Sequence, residues 1–183
     1  NSYEAVKSVS AAEAKALVGP LWTSTKFNPY EHQYQCWRTL LKDKSPNGKP
    51  MSICVTTGTG SGKTECFMMP LVKDLADQKK SDQIQALFLY PLNALMEDQK
   101  ERLEELLEGT HLTYTVYNGD LPDFEPKDTD SSVESDRLRK RIRQIRGWDE
   151  KKVEYKFKHM LYTREQVRKN PPNILLTNPT MLE

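Results

Sequence analysis

The residues best suited to chemistry stand together at Thr57–Thr64, "TGTGSGKT". Gly58, Gly60 and Gly62 let the backbone curl until several N–H groups face one point, and Lys63 adds a positive charge on a long stem. Thr64 contributes a hydroxyl that can ligate a hard cation. One ligand class uses all of these groups, a polyphosphate with its Mg²⁺. Backbone N–H groups would meet the phosphate oxygens, Lys63 the outer phosphates and Thr64 the metal. Thr57 occupies the place, five positions before Gly62, where the general phosphate-loop pattern has its first Gly. The flanks supply the context such a loop needs. Ser52–Thr57, "SICVTT", reads as a buried strand, and Cys66 to Gln78 as an apolar-faced helix.

Positioning that loop takes a sheet. "QALFLY" (Gln85–Tyr90), "LTYTVY" (Leu112–Tyr117) and "NILLT" (Asn173–Thr177) also read as buried strands. Helical spacing recurs over Ala94–Leu107, with Leu95, Leu103, Leu106 and Leu107 sharing a face, and over Tyr30–Asp43, with Tyr34, Trp37, Leu40 and Leu41 directed to the core. Strands alternating with helices predict an α/β fold with a mainly parallel sheet flanked by helices. Residues 121–162 are too long for an ordinary connection and read as a charged insertion. The insertion opens acidic and turns basic at "RLRKRIRQIR", Arg137–Arg146. There Leu138, Ile142 and Ile145 recur at helical spacing while Arg139, Lys140, Arg143 and Arg146 point elsewhere. This pattern suits a solvated helix on the domain's flank, or a surface for nucleic acid or for another part of a larger assembly.

The 183 residues, 37% hydrophobic and 29% charged, make one domain or part of one. With 27 basic and 26 acidic side chains the net charge is +1, so any nucleic-acid surface must be local. Cys36, Cys54 and Cys66 fit neither a zinc spacing nor a disulfide framework, which points to a reducing cytoplasm. No stretch approaches the ~18 apolar residues of a membrane span, so no membrane partner is expected. The start, "NSYEAVKSVS", has no initiator Met and suggests an internal fragment.

The core "TGTGSGKTE", with a small residue in place of the first Gly, resembles motif I of the superfamily 2 DEAD/DEAH-box-like helicases. Upstream, "FNPYEHQYQCW" resembles their adenine-recognition motif, which implies that Gln33 reads the adenine edge while Phe27 or Tyr30 packs on the base. Downstream, "LYPLNALMEDQKERLEEL" resembles motif Ia, carrying over Pro91, Asn93 and Gln99. "YNGD" resembles motif Ib, with Gly119 and Asp120. "ILLTNPTMLE" resembles the strand before the Asp-Glu box, with Thr177, Asn178 and Pro179. Their wording is similar to the large bacterial DNA helicases of the DrmA and MrfA type, linked to phage defence and DNA repair. The resemblance covers residues 29–120 and 163–183. It leaves 1–28 as a lead-in, and 29–183 as the first part of a RecA-like lobe interrupted by the insertion.

It implies a partial RecA-like P-loop NTPase domain that takes ATP and Mg²⁺. The nucleotide site would comprise Gln33, Thr57, Gly58, Thr59, Gly60, Ser61, Gly62, Lys63, Thr64 and Glu65, with Lys63 and Thr64 catalytic and Thr64 on the metal. The implied partners are DNA, single- or double-stranded, in preference to RNA, a second RecA-like lobe, and subunits of a defence or repair complex. The Asp-Glu box would follow Glu183, so the chain alone is expected to be inactive, with an exposed sheet edge. Two other readings stay open: a non-catalytic nucleotide- or partner-binding module, and a non-helicase P-loop enzyme such as a small kinase.

Overall fold

A computed structural model describes residues 8–21, 28–49 and 51–182. Phe27 and Glu183 therefore lie outside the described residues. The chain divides into two compact units, Asn1–Gln78 and Lys79–Glu183.

Among the described residues, the first unit holds the α-helices α1 (Ala11–Val18), α2 (Glu31–Leu41) and α3 (Lys63–Asp77). Ser10 starts α1 with a reciprocal cap, its hydroxyl accepting from the Glu13 N–H while the Glu13 carboxylate accepts from the Ser10 N–H. Helix α1 packs on both α2 and α3, so the lead-in is built into this unit. Trp37 is fully buried and its indole N–H donates to the Glu65 carbonyl at 2.7 Å, fixing α2 to the start of α3. The α2 core face is Gln33 and Trp37, four residues apart, whereas Tyr34, Leu40 and Leu41 are only half-buried. Cys66, Met68, Met69, Val72 and Leu75 line the inner side of α3.

Ser52–Thr57 departs from expectation. Residues 51–57 alternate half-buried and exposed, the period of a strand, yet join no ladder among the described residues. Side-chain alternation is a property of the segment alone, but a strand also needs a neighbour to take its N–H and C=O groups.

The second unit is built on a parallel sheet. Its elements are β1 (Ala86–Leu89), α4 (Asn93–Leu107), β2 (Tyr114–Tyr117), α5 (Val133–Ile145), β3 (Trp148–Asp149), β4 (Glu154–Tyr155), α6 (Arg164–Lys169) and β5 (Ile174–Thr177). The sheet order is β1-β5-β2, so the last strand in sequence lies in the middle, and Leu89, Thr177 and Tyr117 end in register. Ile174 and Leu176 are fully buried there. On β1, Ala86 and Phe88 face inward while Leu87 and Leu89 are about half exposed. The outer edge of β1 has no ladder partner among the described residues. The far edge of β2 is partly covered: Tyr114 N–H donates to the His159 carbonyl and Leu161 N–H to the Tyr114 carbonyl.

Helix α4 buries Met96, Lys100, Leu103 and Leu107, a face rotated from the expected one, and Leu95 is 40% exposed. Lys100 is tolerated inside because its ammonium meets Glu97 at 2.5 Å and the Phe157 ring at 4.3 Å. The insertion folds as α5 followed by the antiparallel β3–β4 hairpin. Ile142 is buried on α5 as expected, with Ser135 beside it, whereas Leu138 and Ile145 are half-buried. No described helix is long and apolar enough to cross a membrane.

Candidate functional site

The loop before α3 is shaped by Gly60 and Gly62, both at positive φ (75° and 71°). Gly62 is the N-cap of α3 and no side chain caps it, so the first-turn N–H groups of the helix are left for another acceptor. The Thr57 and Ser61 hydroxyls share a 2.6 Å hydrogen bond that closes the loop. Lys63 arches back across it, its ammonium donating to the carbonyls of Thr57 (3.0 Å) and Gly58 (2.6 Å). It forms no ion pair among the described residues, so its charge is held by neutral acceptors alone. An anion offered at this point meets an unneutralised cation and the positive end of a helix dipole.

Gln33 is buried beside the loop. Its Nε2 donates to the Gly62 carbonyl at 3.0 Å and its Oε1 accepts from the Tyr30 N–H at 2.9 Å. His32 adds a 2.9 Å hydrogen bond from Nε2 to the Ser61 carbonyl, and its ring stacks on Tyr30 at 5.6 Å. Both amide ends of Gln33 are thus engaged with protein backbone, and its remaining N–H and lone pair are what it can offer to a base. The Cys66 thiol, next along α3, is pushed up to about 12 by its burial and by Cys36 nearby, so it is no nucleophile here.

Thr64 begins α3 with its side chain half-buried. The described residues contain no cluster of three His, Cys, Asp or Glu that could hold a metal alone. A single hydroxyl at a helix N-terminus, next to backbone donors for phosphate, fits Mg²⁺ carried in with a polyphosphate and completed by phosphate oxygens and water.

In the second unit, positions from three of the motifs gather at the carboxyl ends of the parallel strands. Past β1 come Pro91 and Asn93; past β5, Asn178 and Pro179; past β2, Gly119 and Asp120. The Asn178 Nδ2 donates to Asn93 Oδ1 at 2.9 Å, while its own Oδ1 accepts from the Met181 N–H and caps the turn Pro179–Met181. Thr177 is fully buried and spends its hydroxyl on the Tyr117 carbonyl at 2.7 Å, so it braces the strand ends and presents no surface to a polymer. Gln99 lies further along α4, half-buried, with Oε1 lacking a hydrogen-bond partner among the described residues.

Gly119 is exposed and open on its Cα face, and the turn around it is clamped from two sides. Arg141 donates to the Asp120 carbonyl at 2.7 Å and its carboxylate at 2.9 Å. Arg164 reaches the Leu121 and Asn118 carbonyls and covers the Tyr117 ring at 5.3 Å. Neither arginine stands out in sequence as a partner of the Gly-Asp pair, because each lies more than twenty residues away. His32 had a signal, its place beside Gln33.

Most of the chain also matches known proteins. A family model for the DEAD/DEAH box helicases matches residues 30–183. The Druantia protein DruE of Escherichia coli (strain UMEA 4076-1) is 35% identical over 98 residues, 50% of this chain and 5% of that protein. The uncharacterized ATP-dependent helicase YprA of Bacillus subtilis (strain 168) is 33% identical over 93 residues, 50% of this chain and 11% of that protein. The chain therefore spans a small part of these relatives' length. The crystal structure of the DUF1998 helicase MrfA bound to DNA superposes with a TM-score of 0.51 at 26% identity, covering 93% of this chain and 17% of that one. A second structure of that helicase, bound to DNA and AMPPNP, matches to the same degree. With its mixed α/β architecture, parallel sheet and phosphate-loop geometry, the chain belongs to the DEAD/DEAH box helicase family.

Proposed function

We propose that this chain is the ATP-binding part of a nucleic-acid-dependent ATPase, a superfamily 2 DNA helicase or translocase in which hydrolysis drives movement on DNA. The observation that carries the reading is Lys63, held over its own loop by two neutral carbonyls at the uncapped start of α3. With a nucleotide bound, Lys63 would exchange those carbonyls for phosphate oxygens and the loop N–H groups would orient the phosphates; Thr64 would hold a Mg²⁺, which would supply charge neutralisation for phosphoryl transfer. Gln33 holds Gly62 in place and offers its remaining hydrogen-bonding capacity to the adenine.

Asn93, Asn178 and Gly119, at neighbouring strand ends, serve as contacts to a polymer's phosphates, which fix register without reading sequence, while Asp120, an acceptor held by Arg141 with its N–H spent on Asn118, shapes the turn that presents Gly119. Thr177 positions them from below. The DNA in the MrfA structures supports DNA as the track, and the resemblance to DrmA- and MrfA-type helicases supports a setting in phage defence or DNA repair. Beyond Lys63 and Thr64, hydrolysis draws on an acidic group that positions the metal and water and on a cation that meets the transferring phosphoryl.

The test is steady-state ATPase activity of the longer protein that carries these residues, measured without nucleic acid and with single-stranded DNA, duplex DNA or RNA, beside Lys63→Ala. Stimulation by DNA that vanishes in the variant supports the reading. Activity indifferent to every polymer overturns it in favour of a P-loop enzyme of another kind.

A further inference from the structure

Helix α5 carries six cations between Arg137 and Arg146, and the structure sorts them by employment. Arg139 pairs with Asp136 at 2.8 Å and reaches the Lys127 and Asp130 carbonyls. Arg141 holds Asp120. Arg146, expected to point away, is instead layered between the rings of Tyr155 (3.6 Å) and Tyr162 (4.2 Å), fastening the helix to the hairpin that follows. Lys140 and Arg143 are exposed and make no hydrogen bond or ion pair among the described residues. Both line an open cavity of about 680 Å³ whose aromatic wall is Trp148. Its acids are Asp136, already paired, and Glu150.

Trp148 is held in place before any ligand arrives. Gly147, at φ 61°, turns the chain back along α5, and a Cβ there would fall 3.0 Å from both Lys156 and the Phe157 ring. Trp148 then pairs with Tyr155 across β3–β4, the rings meeting edge-on at 4.8 Å. Arg143 stands 5.9 Å from the indole centroid, a loose cation–π contact. A fixed indole flanked by two uncommitted cations matches a chain of alternating phosphates and unstacked bases. A duplex keeps its bases stacked inside, out of the indole's reach.

We propose that this cavity of the insertion is an accessory site for single-stranded DNA, Trp148 stacking one base while Lys140 and Arg143 meet the flanking phosphates. The proposal rests on the reading of the protein as a DNA-dependent motor and extends its track onto the insertion.

The test is fluorescence anisotropy of a labelled oligo-dT with the 183-residue chain over a series of salt concentrations, for wild type, Lys140→Glu/Arg143→Glu, Trp148→Ala and Trp148→Phe. The paired charge reversal is expected to weaken binding at least threefold and to flatten the logarithmic salt slope by about 1.4, two phosphates at ~0.7 each. Trp148→Ala is expected to lose about fivefold or more, the loss of one base–aromatic stack, and Trp148→Phe to recover most of it. Far-ultraviolet circular dichroism confirms folding, and the exposed charge-reversal pair gives the answer even if Trp148→Ala unfolds. Unchanged affinity and slope in the charge-reversal variant, with wild type still binding, overturns this site and leaves the motor reading intact. Tighter binding of duplex DNA that is insensitive to Trp148 also overturns it. Equal binding of an RNA strand widens the ligand to single-stranded nucleic acid. A wild-type chain that binds no oligonucleotide overturns this site, while the DNA track is decided separately by the ATPase measurement on the longer protein and nucleotide binding at Lys63 by its own assay.

Discussion

The Gln33 side chain and the Gly62 backbone are joined by a 3.0 Å hydrogen bond from Nε2 to the carbonyl, and a Cβ on Gly62 would lie 2.3 Å from that same nitrogen. Gly62 is therefore required twice, by its φ of 71° and by the amide packed against it.

Gly62→Ala is expected to cost about 1–2 kcal/mol for the left-handed backbone, plus the displacement of Gln33. In a Gln33→Ala background the second part disappears, so the penalty shrinks. Urea unfolding of the single and double variants measures the coupling. Additive penalties would show that the amide yields without cost.

Lys63→Ala removes the charge that, in the reading proposed above, meets the polyphosphate. Binding of a fluorescent ATP analogue to the 183-residue chain should weaken roughly 10- to 100-fold, the range of a lost charge-assisted hydrogen bond. The urea midpoint should barely move, because only two part-exposed carbonyls lose a donor. Unaltered nucleotide affinity would remove Lys63 from the site.

Asn173 is buried at the other end of the sheet, where it accepts from the Thr113 N–H and donates to the Ser81 carbonyl and the Gln85 side chain. Asn173→Ala strands these groups and should destabilise the second unit by about 2–3 kcal/mol. A lower urea midpoint at constant slope is the signature.

Cysteine reactivity follows burial. Cys54 is exposed, Cys36 half-buried and Cys66 buried, with its thiol pushed up to about 12 from an ordinary 9.0. Iodoacetamide at pH 8, read by mass spectrometry, should label Cys54 first and Cys66 only on unfolding. Between pH 9 and 12 the unfolded chain gives up this proton and the folded one keeps it. The stability contributed by the buried thiol is thus complete below pH 9 and is lost as pH rises toward 12.

Local chemistry made the phosphate loop, the three paired strands and the α4 helix readable, since each is written in contiguous residues. Distant chemistry hid the remainder. The burial of Lys100 rests on Phe157 and the Ile145 carbonyl, both far along the chain, as well as on the nearby Glu97. Asp120 reads as a motif Ib position, and no local spacing announces that Arg141, 21 residues on, holds it. Thr177 reads as a strand-end contact, and its register with Tyr117 turns it inward. Ser52–Thr57 reads as a strand because its side chains alternate, and alternation names no ladder partner.

The three parallel strands stop level with one another at Leu89, Thr177 and Tyr117, and the Asn93–Asn178 hydrogen bond ties two of their exits together. A pull applied at those exits along the strand direction loads both ladders in shear, so their hydrogen bonds resist together and do not open one after another. The three strand ends therefore hold or yield as one.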